Sequence, residues 1–578
     1  MTVRAQKRYN AGMKKLRGFF CFAVIQFCFS FYVFASPHAK QDLVPAGHWL
    51  YDALTALSME MGNVSLADQA PMSVAELDVL LSEVDYEKLS SAGKLWYDKI
   101  MEWRGQSDFS FKFGEFSVDV RPETALELYG KTNDNVNWVY DRYDRKHLLD
   151  LSMRIQASDW VTLEMQADLA TSRKANARSY VFSNVPYKED FFDTNFPHWA
   201  YTSAGFPIGE KAGVNVQMGI GALEIGRSLT GSIIWSSQLS DLSFANIEFF
   251  SPAFRYTMNV SQFNVNRYMY SHRFDFRLFK LFHFSIMESL LVYAPLELRF
   301  LLPFTVLHGQ APWRDYQPDE GWAEDHIIMD MTMKVVFTPF KYTRFYFYYA
   351  QTENQCFTED MSRPNARGYQ WGGETYIPMG QGYLHLWAEG SYTDPFLFIK
   401  ESPNWSFVRT FTELVTTSDI YYEWLGGLYG PDTVTAQLSA GYEVPQTWSV
   451  ILSYLFAARG EFSGTDAFRP GLNWGGLKIG ERDLDTDVWV YEISREAAAM
   501  TAPHGIPEYI NQISVRGQWH PFDWLELVAQ PSVSIILNRN HVEGITAVGF
   551  EAALSARVEL AQIWNVKPID VNWKGNEE

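Results

Sequence analysis

Leu149-Asp150-Leu151-Ser152-Met153-Arg154-Ile155-Gln156-Ala157, followed after Ser158-Asp159 by Val161-Thr162-Leu163-Glu164-Met165-Gln166-Ala167-Asp168-Leu169, decides the class of this chain. Side chains of a strand point alternately to its two faces, so the leucines, methionines and Ile155 share one face while Asp150, Arg154, Glu164 and Asp168 share the other. Each run is about nine to eleven residues long, the length of a tilted bilayer crossing, whereas strands of soluble sandwiches run nearer five or six. Apolar-out, polar-in alternation at that length predicts a transmembrane β-barrel.

The same two-residue period returns along the chain. His272, Phe274, Phe276 and Leu278 oppose Arg273, Asp275 and Arg277; Val434 to Tyr442 and Trp448 to Phe456 continue it; Ile513, Val515 and Trp519 oppose Arg516. Near the end, Glu526 faces away from Leu525 and Leu527, and Glu551, Arg557 and Glu559 face away from Phe550, Leu554 and Val558. Short turns are expected at Ser158-Asp159, Phe279-Lys280, Pro339-Phe340-Lys341, Met379-Gly380-Gln381, Pro445-Gln446 and Pro521-Phe522-Asp523. Long connections are expected over Thr171 to Gly213, Pro295 to Asp330, Pro395 to Tyr421 and Gly460 to Asp487. The count gives about 16 to 18 antiparallel strands over residues 109–564, with a tail over 565–578. Within Leu281 to Tyr293, Glu288 falls on the apolar face, where a bulge is the first expectation.

Before the barrel the period is helical. Trp49, Leu50, Ala53, Leu54 and Leu57 form one stripe, Leu77, Leu80, Leu81 and Val84 a second, and Ala92 to Trp103 a third. Ser73-Val74-Ala75-Glu76 reads as a capping box. Residues 36–108 are therefore expected to be a periplasmic helical segment able to plug the barrel. Ahead of it, Lys14, Lys15 and Arg17 precede an apolar run from Phe19 to Ala35, the charge order of a signal peptide with cleavage after Ala35.

Composition agrees. Aromatic residues make up 16% of 578 residues, yet mean hydropathy is only -0.18, too polar for a helical membrane protein. The formal charge of -20, or -26 once residues 1–35 are removed, argues against a nucleic-acid partner. Cys21 and Cys28 lie in the leader, leaving Cys356 alone, so neither an internal disulfide nor a cysteine metal site is expected. No Gly-x-Ser-x-Gly or His-Glu-x-x-His occurs, and Asp483-Leu484-Asp485-Thr486-Asp487 lacks an EF-hand's glycine and distant glutamate. Neither catalysis, a cofactor nor a metal is expected. The candidate site is a lumen of mixed charge, comprising Asp150, Arg154, Glu164, Asp168, Arg273, Asp275, Arg277, Arg516, Glu526, Glu551 and Arg557, with Glu389 and Glu559 beside them. Most of these charges are expected to neutralise one another. Pro312-Trp313 and Asn404-Trp405 are aromatic loop pairs suited to stacking on sugars or to anchoring at the interface.

Ile225-Gly226-Arg227, Gly231-Ser232-Ile233-Ile234-Trp235-Ser236, Ser271-His272-Arg273-Phe274-Asp275-Phe276, Glu288 with Val292-Tyr293, and Leu302-Pro303-Phe304 carry a resemblance. With the helical opening Pro45 to Leu81, the chain resembles the capsule-assembly Wzi family of outer-membrane proteins. That resemblance implies a barrel that binds surface polysaccharide, with helices closing its periplasmic end; a monomer is expected. A porin or substrate-specific transporter with a helical plug is the alternative.

Overall fold

The computed structural model describes residues 38–106, 108–113, 116–136, 146–171, 182–186, 192–193, 197–310, 327–352, 366–399, 406–412, 421–464 and 500–563, and four short pieces at 316–317, 321–322, 403 and 569–570. The leader, Cys356, Trp313, Asn404-Trp405 and Asp483 to Asp487 lie outside the described residues.

Eighteen strands close into one antiparallel barrel. They are β1 (Phe116–Lys131), β2 (Leu149–Ser158), β3 (Val161–Leu169), β4 (Ala200–Pro207), β5 (Gly213–Gly221), β6 (Leu242–Phe250), β7 (Phe254–Asn264), β8 (Arg267–Leu278) and β9 (Phe282–Tyr293). The second half comprises β10 (Ile327–Phe340), β11 (Thr343–Thr352), β12 (Arg367–Met379), β13 (Gly382–Thr393), β14 (Thr433–Val444), β15 (Trp448–Arg459), β16 (Glu508–Phe522), β17 (Leu525–Leu537) and β18 (Thr546–Glu559). The seam joins β18 to β1, from Glu551 opposite Lys131 to Glu559 opposite Glu123. The part of β1 that β18 does not reach is paired by Phe109–Phe113, which leaves no bare edge there. Strand β4 lies inside the stretch expected to be one long connection from Thr171 to Gly213. It is short, and its Gly205-Phe206-Pro207 end weakens the alternation.

The alternation governs exposure as expected. On β3, Leu163 and Met165 are exposed while Thr162 is buried; on β17 and β18, Val533, Ile535, Val548, Phe550 and Leu554 face out. No helix among the described residues is long and apolar enough to cross a membrane; it is the outward apolar faces of the strands that suit a bilayer. One end of the barrel carries eight short turns, such as Phe279-Lys280, where both residues take positive φ in a turn closed by the Leu281 N–H donating to the Leu278 carbonyl at 3.1 Å. Trp160, Phe206, Phe279, Phe340, Trp519 and Phe522 ring that end on the outside, an aromatic girdle at the interface. The other end, the loop end, carries the longer connections, apart from the tight β7–β8 hairpin at Val265-Asn266.

Glu288 is not at a bulge. Strand β9 pairs without a register break with both β8 and β10, and Glu288 lies opposite His272 and Met331. Its carboxylate points outward and accepts from the backbone N–H groups of Leu307 (2.9 Å) and His308 (2.6 Å). The segment after β9 has folded back over the outer wall, seating Phe300 and Leu307 against Tyr270, Leu290 and Val292. An acid on the lipid-facing side is thus satisfied by backbone donors instead of being left in hydrocarbon.

The helical segment forms α1 (Leu50–Glu60), α2 (Val74–Leu81) and α3 (Ser91–Gly105). Ser73 caps α2 by accepting from the Glu76 N–H, but Glu76 does not return the favour. Its carboxylate is drawn to the Arg255 guanidinium of β7, because a buried charge pair outweighs a cap hydrogen bond. The three helices share a core with Tyr376 and Tyr383 of β12 and β13 and sit inside the turn end of the barrel. Val64 N–H donates to Lys280 carbonyl and Tyr342 N–H to Met59 carbonyl, both at 2.8 Å, which pins the insert to two adjacent turns.

Candidate functional site: the divided lumen

Two bodies fill much of the lumen among the described residues. The helical insert occupies the turn end. Toward the loop end, connections fold inward around Ile233, Trp235, Leu239, Phe398, Phe407 and Trp424, which form a continuous apolar core with the inner wall. Insert and inward loop meet where Gln69-Ala70 pairs antiparallel with Glu224-Ile225. The next residue, Gly226, has φ +91, and a Cβ there would lie 2.8 Å from Ser232 Oγ and 2.9 Å from the Tyr348 ring, so the turn needs glycine.

The sequence-predicted charges do not converge on one place. Most of them bind the insert, an inward loop or a neighbouring wall strand. Arg154 donates to Asp119 at 2.9 Å and to Asp42 of the insert at 2.5 Å. Glu164 accepts from Tyr201 at 3.0 Å. Arg273 pairs with Asp275 at 2.8 Å, Asp275 also holds His283 at 2.8 Å, and Arg277 reaches Glu83 of the insert at 2.5 Å. Glu389 accepts from the Thr230 and Leu229 N–H groups at 2.8 and 2.9 Å, fixing the inward loop. Asp150 and Asp168 lie at the loop end beside His147. Glu551 is buried on the inner face of β18.

Arg516, Glu526, Arg557 and Glu559 stand apart from these, lining a cavity of about 1190 Å³ between the insert and the wall of β14 to β18. Arg557 contacts Glu123 (3.3 Å), Glu559 (3.2 Å) and Glu526 (3.6 Å), and Glu526 accepts from Gln518 at 3.0 Å. Between the charges the wall is uncharged and polar, with Gln437, Ser439, Ser453, Gln512, Ser514 and Gln530. Trp49, Trp103, Trp387, Trp524 and Tyr429 supply aromatic surface. Among the described residues, nine acids and nine bases line the cavity, so their formal charges balance although those of the chain do not.

Arg227 controls one side of this space. Its guanidinium pairs with Asp52 of α1 and with Glu374 of β12 (2.6 Å), bonds Tyr376 Oη at 3.0 Å and lies 4.5 Å over the Trp387 ring. One planar fork thereby joins insert, wall and inward loop. Alternation does not single out Arg227, which lies in an irregular segment between β5 and β6, or the amides of the cavity wall, which resemble any polar lumen residue. Only their convergence around one unfilled volume distinguishes them.

No protein-family model matches the chain, and no curated protein does either. Among solved structures it is similar to Wzi of Escherichia coli, described as an outer membrane protein involved in group 1 capsule assembly and a carbohydrate binding β-barrel. The TM-score is 0.54 at 12% identity, over 92% of this chain and 100% of that one. It is also similar to OccK10 (OpdN) of Pseudomonas aeruginosa, with TM-score 0.37 and 8% identity over 77% of this chain and 99% of that one. At such identities the likeness speaks to fold. With the lipid-facing wall, the closed strand order and the aromatic girdle, it establishes the chain as an outer-membrane β-barrel protein.

Proposed function

We propose that this barrel binds surface polysaccharide, with the cavity along β14 to β18 and the adjoining loops as the receiving surface. The observation that carries this reading is the character of that cavity: amide and hydroxyl groups between tryptophans, with acids and bases in balance. Amides and hydroxyls both donate and accept, which matches sugar hydroxyls, and indole faces suit the apolar faces of pyranose rings. A general diffusion pore has no need of an apolar core in its lumen or of a helical insert bonded to its wall. The carbohydrate binding of the Escherichia coli barrel of like fold supports the same reading. Because one chain closes the barrel by itself, a monomer is sufficient.

A substrate-specific transporter is the second reading, favoured by the height of the cavity, which runs from Gln446 and Trp524 at the turn end to Arg459 and Arg539 at the loop end. Two measurements separate them. Detergent-folded protein on an array of bacterial surface glycans is expected to retain polysaccharide; retention of none removes the binding reading. In planar bilayers the same protein is expected to stay electrically quiet, whereas stepwise current from the intact chain favours transport.

A further inference from the structure

We propose that His147, Asp168 and His198 form a binding site for one divalent cation of the zinc class at the loop end of the barrel. The three residues come from separate stretches. His147 stands just ahead of β2, Asp168 near the end of β3, and His198 just ahead of β4. Pairing of β2 with β3 sets Asp150 opposite Asp168, which brings the start of one strand to the end of the next. One donor atom from each of the three residues lies within 4.8 Å of the other two. His147 Nδ1 is 3.0 Å from Asp168 Oδ1, and the two imidazole rings are 5.6 Å apart.

The second observation is Asp168 itself. Its side chain is 2% exposed, and apart from the His147 contact neither carboxylate oxygen has a hydrogen-bond donor among the described residues. A carboxylate so placed is costly unless a cation faces it, and the group that faces it is an imidazole, a weaker and conditional charge. A metal ion would satisfy both oxygens' demand and use the imidazole as a fellow ligand.

The surroundings fit ligation. His198 is held between two carboxylates, Asp241 at 2.8 Å on Nδ1 and Asp193 at 3.2 Å on Nε2. A carboxylate on the far nitrogen of an imidazole orients the ring and raises its basicity toward metal. Two imidazole nitrogens and carboxylate oxygen select zinc, nickel or cobalt over calcium and magnesium, which prefer oxygen alone. Zinc–nitrogen bonds of about 2.0 to 2.1 Å require the donors to draw together to about 3.3 Å. Because the two histidines precede β2 and β4 and Asp168 lies on β3, an ion here would fasten two loop-end connections to the wall.

The test uses the full-length barrel folded in detergent and stripped with EDTA. Titration with zinc chloride, then desalting and elemental analysis, is expected to give one tightly held zinc per chain, and cobalt chloride is expected to give visible ligand-field bands. D168N and H198Q are each expected to weaken zinc binding about tenfold or more, while H308Q, on the outer wall, leaves it unchanged. H147Q serves where either variant fails to show the gel shift of a folded barrel. Absence of retained zinc in the unmodified protein overturns the proposal, as does zinc binding that folded variants at the three positions leave unaltered.

Discussion

Lys334 and Asp68 meet inside the barrel, the lysine Nζ 2.9 Å from both carboxylate oxygens, so that a wall strand and the helical insert share one buried charge pair. Lys334 is 1% exposed, and Asp275 lies 3.6 Å from the same ammonium. Removing one partner of such a pair leaves an uncompensated charge, which costs about 3 to 5 kcal/mol. D68N is therefore expected to loosen the insert while the barrel persists. Hydrogen exchange should show lost protection across residues 38–106 with the β10 to β18 amides unchanged.

Acid should undock the insert in two steps. Burial lowers His38 from 6.5 to about 4, aided by the Arg154 guanidinium, so the folded state favours its neutral form. That contribution is complete above pH 6.5 and is lost as pH falls from there through about 4. Asp68 follows. Burial alone would raise it, but the Lys334 ammonium prevails and holds it at about 2, against 3.8 unperturbed. Its contribution is present above 3.8 and disappears as pH falls toward 2. Exchange of the insert amides, corrected for intrinsic rates, is expected to rise in both windows, and H38Q should flatten the upper one.

Gly93 is where α1 and α3 cross. A Cβ there would lie 2.4 Å from Glu60 Oε2, and that carboxylate cannot retreat freely because Tyr383 Oη donates to it at 2.6 Å. G93V is expected to cost the insert about 1 to 3 kcal/mol of docking stability through overpacking. Limited proteolysis should then cut between residues 38 and 106 at protease concentrations that leave the parent intact.

The barrel was legible in the sequence because a two-residue period survives wherever one face meets lipid and the other does not, as along Val161 to Leu169. Strand β4 was hidden because its eight residues mix small and aromatic side chains without a clean alternation. The partners of the charged residues were not readable in the sequence. Arg154 finds Asp42 and Arg277 finds Glu83 across long sequence separations that no local pattern encodes. Glu288 broke the pattern visibly, yet its explanation, backbone donors from a segment folded across the outer wall, needed the third dimension.

That outer segment gives a further prediction. E288L suits the lipid-facing side of β9 but deprives the Leu307 and His308 N–H groups of their acceptor. Hydrogen bonds to charged groups are worth about 1.5 to 3 kcal/mol, so exchange at these two amides is expected to accelerate roughly ten- to a hundredfold. Barrel melting should stay within about a degree of the parent, since the register of β8, β9 and β10 does not depend on the carboxylate.

The seam between β1 and β18 bears on how such a molecule can be built. The insert precedes every barrel strand in the chain, and its wall partners, from Arg154 on β2 to Tyr383 on β13, precede the last five strands. Among the hydrogen bonds and ion pairs of the described residues, only the Lys99–Asp523 pair at 3.7 Å joins it to that part of the wall. The insert can thus be fully seated on a curved, still-open sheet, and β14 to β18 can then wrap past it without displacing anything. The side of the lumen that the described residues leave open is the side added last.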